Sequence, residues 1–207
     1  MSPDDITGGR GRRHYTRGVG RWEPGAGDRL REAALTLYLE RGFEQTMVAD
    51  IADRAGVTAR TFFRYFADKR EVLFDRSAEL ERSALAALEA APATASTLEA
   101  VAAALSAAAD LIGQDRELAR KRQAVIMSTA DLRERELIKL ADLSAALAEG
   151  LRRRGVPAAE AALATEAGSA VYRVAFQRWV DTEDGTLDLH EAIRQSFAQL
   201  HTLTTPH

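Results

Sequence analysis

Two arginines and a run of aromatics carry the most pointed chemistry in this chain. Between Gly56 and Glu71 the sequence reads "GVTARTFFRYFADKRE", and Phe62-Phe63-Arg64-Tyr65-Phe66 packs four aromatic rings around one guanidinium. On a helical wheel advancing ~100° per residue with Phe62 at zero, Phe66 falls near ~40°, Arg60 near ~160° and Arg64 near ~200°. Phe63 and Tyr65 lie on the flanks. Such a helix anchors one face in a core and projects two guanidiniums from the opposite face. Each guanidinium is a planar fork of donors suited to phosphate or to the major-groove edge of guanine, and the pairing with guanine discriminates by about 1–3 kcal/mol.

The elements that must position these residues are helical. Leu30, Ala33, Ala34, Leu37 and Tyr38 repeat at spacings of three and four, and Gly42 closes that first helix. Val48, Ile51, Ala52 and Ala55 make a short second helix that ends at Gly56, and Thr58 is placed to cap a third through Phe66. A short turn containing Gly between two short helices fits a helix-turn-helix, though by spacing alone an αα-hairpin in a bundle is the commoner reading. The arginine face of the third helix favours the first.

Beyond it, Asp68-Lys69-Arg70-Glu71 reads as an acidic capping box opening a fourth helix that runs to about Ala90, and Ser96-Thr97-Leu98-Glu99 opens a fifth. A sixth follows Gly113, a long seventh runs from Asp131 to about Arg154-Gly155, an eighth from Pro157 to Val180, and a ninth from Asp188 to about Leu203. No strand-like alternation is seen. The expectation is an all-α protein of about nine helices. Its expected parts are a flexible basic arm over 1–22, a helix-turn-helix domain over 23–71 and a ligand-binding and dimerisation domain over 72–207.

Charge supports the division. The 207 residues carry a net charge of −3, yet residues 1–70 sum to +3 and residues 71–207 to −6. Arg10, Arg12, Arg13, Arg17 and Arg21 stand with no acid among them, as a solvated arm or one suited to an adjacent minor groove. The acidic body would repel DNA and must serve something else. Zero cysteines exclude disulfides, thiolate zinc sites and cysteine nucleophiles. The Ala-rich stretch from Leu98 to Ile112 holds Ser106 and Asp110 and is too short to span a membrane. No secretory signal is visible, and a cytoplasmic location is expected. The four histidines lack the i, i+4 spacing of a helical metal site, and no Gly-rich loop cradles phosphate. Neither an enzyme, a metal site nor a cofactor is expected.

The stretch "LREAALTLYLERGFEQTMVADIADRAGVTARTFFRYFADKREVLF", Leu30 to Phe74, resembles the TetR-type transcriptional regulators. The shared pattern falls on Ala33-Ala34, Tyr38, Gly42-Phe43, Thr46, Val48, Ile51-Ala52, Ala55-Gly56-Val57-Thr58, Phe63, Phe66 and Lys69. The resemblance implies a repressor of a palindromic double-stranded DNA operator, with Thr58 and Lys69 on phosphates and Arg60, Arg64 and Tyr65 on bases or the groove wall. Thr46, Thr61 and Phe63 complete the implied DNA-facing set. Two positions depart from the family. Phe63 stands where Tyr is usual, so only apolar contact is available, and Met47 stands where a capping Ser or Thr is frequent. Thr46 must then cap the second helix, or the cap is missing at a cost of about 1 kcal/mol.

The resemblance further implies a homodimer through helices eight and nine and a small-molecule effector among helices four to eight. "ATEAGSAVYRVAFQRWV" and "HEAIRQSFAQL" supply small and bulky apolar residues, and Gly168, Ala170, Val171, Ile193, Phe197 and Leu200 are the expected interface. The same stripes could equally be intrachain core. Arg120, Gln123 and Met127 on helix six, with Tyr172 and Phe176 on helix eight, are the expected ligand set for a small hydrophobic or amphipathic effector; Arg122 and Gln177 lie beside them. "RQAVIMSTADLRERELIKLADLSAALAEGL" followed by "VAFQRWV" is similar to the carboxyl-terminal region of regulators that sense fatty-acyl-CoA-like ligands. The competing class is an α-helical interaction or structural protein without sequence-specific DNA binding.

Overall fold

The computed structural model describes residues 25–182 and 186–205. The arm expected over 1–22 lies outside them. Among the described residues the chain forms nine α-helices and one 3-10 turn, with no strand. They are α1 (Ala26–Arg41), α2 (Val48–Arg54), α3 (Ala59–Tyr65), the 3-10 turn Glu71–Leu73, α4 (Ser77–Ala90), α5 (Thr97–Ile112), α6 (Arg116–Ser128), α7 (Ala130–Arg153), α8 (Ala158–Asp181) and α9 (Leu189–Thr204). None of these helices is long and apolar enough to cross a membrane.

The all-α expectation holds, with one correction at the start of the fourth helix. Asp68 does cap: its carboxylate accepts from the Arg70 N–H at 2.7 Å and the Glu71 N–H at 3.1 Å. What it starts is a single 3-10 turn. Val72, Leu73 and Phe74 are all buried. Three consecutive apolar residues spread around any helix, so all three are buried because the core shared with α1, α6 and α7 surrounds the turn. α4 proper begins at Ser77, whose hydroxyl donates to the Phe74 carbonyl at 2.6 Å.

The first apolar cluster joins α1, α2, α3 and the 3-10 turn to Val125 and Ile126 of α6 and Leu132 of α7. The amino-terminal helices thus rest on the body through a shared core, and the 3-10 turn is the hinge between them. A second cluster joins α4, α5, α7 and α8 through Leu88, Val101, Leu105, Leu147 and Leu151. A third surrounds Trp179 with Ala109, Ala119, Leu189 and Ile193.

Candidate nucleic-acid interface and effector cavity

Helix α3 is built as its wheel implies. Phe62 and Phe66 are buried with ring centroids 5.4 Å apart, and Phe63 meets Phe62 edge-on at 5.5 Å. The turn before it is made by Gly56 at φ 68°, in the left-handed region where a Cβ is disfavoured. The Val57 N–H returns to the Ala52 carbonyl at 2.9 Å, and the Thr58 hydroxyl accepts from the Thr61 N–H at 3.2 Å. These bonds fix the entry of α3 and hold Arg60 and Arg64 outward, both exposed.

Pairing separates the cations of this region. Arg31 is held by Asp28 and Asp75. Arg54 grips Glu40 through two bonds of 2.7 and 2.9 Å, and Arg70 pairs with Asp68 at 2.8 Å. Arg60 and Arg64 have no carboxylate partner among the described residues; Arg64 lies 5.2 Å over the Tyr65 ring. Phe63, 58% exposed, stands beside them as an apolar contact.

Three expected DNA contacts are placed differently. Thr46 is fully buried, and its hydroxyl donates to the carbonyls of Gly42 at 2.9 Å and Leu37 at 3.4 Å. It closes the end of α1 and does not cap α2. Met47 occupies the cap position without a side-chain bond, and Asp50 reaches back to its N–H at 3.0 Å. Lys69 turns inward. Its ammonium donates to the carbonyls of Phe43 (2.8 Å), Thr46 (3.0 Å) and Glu44 (3.4 Å) and sits 4.3 Å over the Phe43 ring. Three donors meet three acceptors, so the charge ties down the α1–α2 loop. The Tyr38 hydroxyl donates to the Lys69 carbonyl at 2.6 Å and fixes the backbone from which that side chain springs; burial, then the Asp68 charge, raises the Tyr38 pKa. Tyr65 is half-buried, its ring beside Gly27 of α1, and it lines the cavity described next.

An open cavity of ≈ 1680 Å³ lies between α1, the hinge and helices α4 to α8. Gln123, Met127, Tyr172 and Phe176 line it, as do Arg122 and Gln177. Tyr172 and Phe176 stack with centroids 6.1 Å apart, and burial raises the Tyr172 pKa. Gln123 Oε1 is enclosed without a partner among the described residues. Arg120 is a correction. Its guanidinium donates twice to the Val180 carbonyl, at 3.0 and 3.2 Å, and pairs with Glu117. It therefore closes the carboxyl end of α8 and faces away from the cavity. Arg122 is the arginine of α6 that lines it. Its Nε–H donates to the Leu73 carbonyl in the hinge at 2.7 Å, Nη1 lies 3.3 Å from Glu136, and the guanidinium lies 5.2 Å over the Phe74 ring.

The expected dimer set divides. Gly168 is buried, and a Cβ there would stand 2.5 Å from Val101 Cγ1. Its smallness lets α8 approach α5 within the chain. Val171 and Ile193 are buried likewise, and Phe197 packs into the second and third clusters. Only Ala170 is exposed, with Leu200 half-exposed. The exposed apolar residues of this surface are Leu163 (72%), Val174 (53%) and Leu203 (77%). Sequence reasoning missed them although a signal was present. Leu163, Ala167, Ala170 and Val174 recur at four, three and four, a second stripe behind the buried one.

A three-helix head whose Arg60 and Arg64 have no carboxylate partner among the described residues, joined to a helical body with a roomy cavity, is the layout of a helix-turn-helix transcriptional regulator. Residues 30–75 match the bacterial regulatory proteins of the tetR family, and residues 95–204 match the MftR C-terminal domain. The chain belongs to the TetR family of transcriptional regulators.

A similar protein is the HTH-type transcriptional regulator TcmR of Streptomyces glaucescens, 42% identical over 80 residues, 39% of this chain and 35% of that regulator. The chain thus spans about a third of that relative's length. Among solved structures, FadR of Thermus thermophilus, a TetR-family repressor in complex with lauroyl-CoA, aligns over 87% of this chain and 96% of its own, with 23% identity and a TM-score of 0.54. FadR of Bacillus halodurans, a fatty acid degradation regulator, covers 86% and 95% with 20% identity and a TM-score of 0.60. At such identities the likeness concerns the fold. The family and these relatives are regulators, not enzymes.

Proposed function

We propose that the protein is a homodimeric, cytoplasmic repressor that leaves a palindromic operator when a small hydrophobic or amphipathic effector enters the cavity. The observation that carries the DNA part is the pair Arg60 and Arg64, exposed on α3 and without a carboxylate partner among the described residues while neighbouring arginines are paired. Phe63 adds apolar contact, and Thr58 and Thr61 stand at the amino end of α3, where its dipole favours a phosphate. The proposed division into a head over 23–71 and a body over 72–207 falls within the 3-10 turn, whose Val72 and Leu73, with Phe74, pack into the core shared with the head.

The effector part rests on the cavity that reaches from Tyr172, Phe176, Gln123 and Met127 to the hinge. Ligand acts by binding better to a conformation whose two heads no longer match the operator spacing. The dimer is assigned to the outer stripe of α8, Leu163, Ala170 and Val174, with Leu200 and Leu203 of α9. A single helix-turn-helix reads few base pairs, and a two-fold pair of heads explains how specificity is reached.

The test is binding of labelled operator, selected from genomic fragments, measured against random DNA at several salt concentrations. Arg60→Ala with Arg64→Ala should remove preference at specific base pairs, a loss of roughly 1–3 kcal/mol per bidentate contact. Unchanged selectivity in that double variant would refute direct reading by α3. Absence of any salt-dependent, sequence-dependent affinity in the parent protein would favour the interaction-protein reading instead.

A further inference from the structure

We propose, resting on the effector reading above, that the cavity takes an apolar molecule bearing a single anionic group, and that Arg122 both binds this group and thereby releases the hinge. The cavity lining selects the charge. It holds seven Lys or Arg and nine Asp or Glu, a balance unsuited to a ligand with several phosphates. Four of these cations are already engaged, Arg31 with Asp28 and Asp75, Arg76 with Glu79 and the Leu111 carbonyl, Lys121 with Glu117, and Lys139 with Glu71, while Arg133 and Arg173 stand exposed where water screens their charge.

Arg122 differs. Its side chain is 32% exposed, so it is partly withdrawn from water, where a charged pair is stronger than at the open surface. Only two of its contacts are hydrogen bonds, to the Leu73 carbonyl and to Glu136, and a guanidinium has five N–H donors. Tyr172, with no hydrogen-bond partner among the described residues, lies close enough to feel the charges of both Arg122 and Glu136. An incoming anion replaces Glu136 on the guanidinium and draws it from the Leu73 carbonyl.

That carbonyl belongs to the 3-10 turn. The turn has a second tie to the body, Glu71 held by Arg135 at 2.7 Å and by Lys139 at 3.6 Å. Phe74, next in the chain, is buried in the core of the reading head under the Arg122 guanidinium. Moving Arg122 therefore loosens the hinge on one side only, which tilts the head and leaves the body folded.

Two dyes sharing one aryl body separate the charge from the shape: anilinonaphthalene sulfonate and its uncharged parent phenylnaphthylamine. Both should gain fluorescence with the full-length protein. Arg122→Met should weaken the sulfonate dye about tenfold or more and leave the uncharged dye within about twofold. Glu136→Gln, which keeps Arg122 and removes its competitor, should tighten the sulfonate dye severalfold. Of the two, the sulfonate dye should be the stronger in lowering operator affinity of the parent protein, read by anisotropy of labelled DNA. Sulfonate binding that is unchanged by both substitutions, while both dyes still enter, overturns the role of Arg122 and leaves the effector cavity standing. Failure of both dyes to enter the parent protein overturns the cavity reading and this inference together.

Discussion

Replacing Lys69 by Met separates two roles that a lysine at this position could have. The ammonium is shared by three carbonyls of the α1–α2 loop at 2.8, 3.0 and 3.4 Å, and it covers the Phe43 ring. Hydrogen bonds to a charged group contribute about 1.5–3 kcal/mol each. The site is half-buried and water can replace part of what is lost, so the three together are worth about 2–4 kcal/mol. For a chain of this size that lowers Tm by roughly 4–16 °C. Lys69→Arg keeps the charge, but a planar fork cannot aim three donors at carbonyls converging on one point, so it should also lower Tm. The assay is a thermal melt beside the salt dependence of binding to random DNA. A lysine neutralising a phosphate adds about 0.9 to the slope of log K against log salt. The expected result is a lower Tm with an unchanged slope. A Tm within about 1 °C of the parent, with the slope reduced by about 0.9 per head, would refute the clip and restore the phosphate contact.

Two further outcomes follow from packing and from titration. Gly168→Ala places a Cβ 2.5 Å from Val101 Cγ1 and 3.2 Å from Leu105 Cδ1. Overpacking against a stiff β-branched side chain costs about 1–3 kcal/mol, offset by about 1 kcal/mol of helix propensity. Tm should fall by a few degrees while the dimer dissociation seen by light scattering on dilution stays put; a weakened dimer at constant Tm would return Gly168 to the interface. Asp68→Asn tests the hinge cap. Burial raises the Asp68 pKa, but the Arg70 side chain and the Glu71 and Arg70 amides outweigh it and hold the carboxyl below its ordinary 3.8. A value lowered on folding adds stability that is present above the unfolded pKa and lost as pH falls through the folded one. The difference between parent and variant should be widest at neutral pH and shrink below about pH 4. A difference that grows in acid would contradict the cap.

What was legible in the sequence is what is local in space. Thr58, Ser96 and Asp188 each accept from an N–H three residues on, so the start of a helix is written within four positions. The carboxyl ends are closed from afar. Arg29 donates to the Ala55 carbonyl, Arg76 to Leu111, Arg120 to Val180, and Arg154 to Leu88, Glu89, Ala91 and Pro92. Nothing near Arg120 or Arg154 in the chain announces these partners, about sixty residues away. Arg120 therefore read as a ligand contact, when orphan carbonyls at a helix end had the stronger claim on it. The misplacement of Gly168 has a different cause. A small residue signals close approach but not the identity of the approaching helix, and α8 carries apolar residues on two faces.

The pairing of charges also bears on how a reading head of this kind must work. With Lys69 turned inward and Arg31, Arg54 and Arg70 paired to carboxylates, the head holds few cations to draw a duplex through phosphate attraction alone. Arg60 and Arg64 stand exposed on the face of α3 proposed to read base edges. Without the five arginines of the arm, the folded head is expected to be weak in the sequence-independent part of binding and to rely on geometry for the rest. Geometry is what a hinge can change. A tilt that leaves both arginines exposed and both helices folded still moves one head relative to its proposed two-fold mate, and half-sites one helical turn apart tolerate little displacement. Under the proposed mechanism, release has no need to unfold the head or cover its arginines; loosening the turn between Glu71 and Leu73 on the side of Arg122 would be enough.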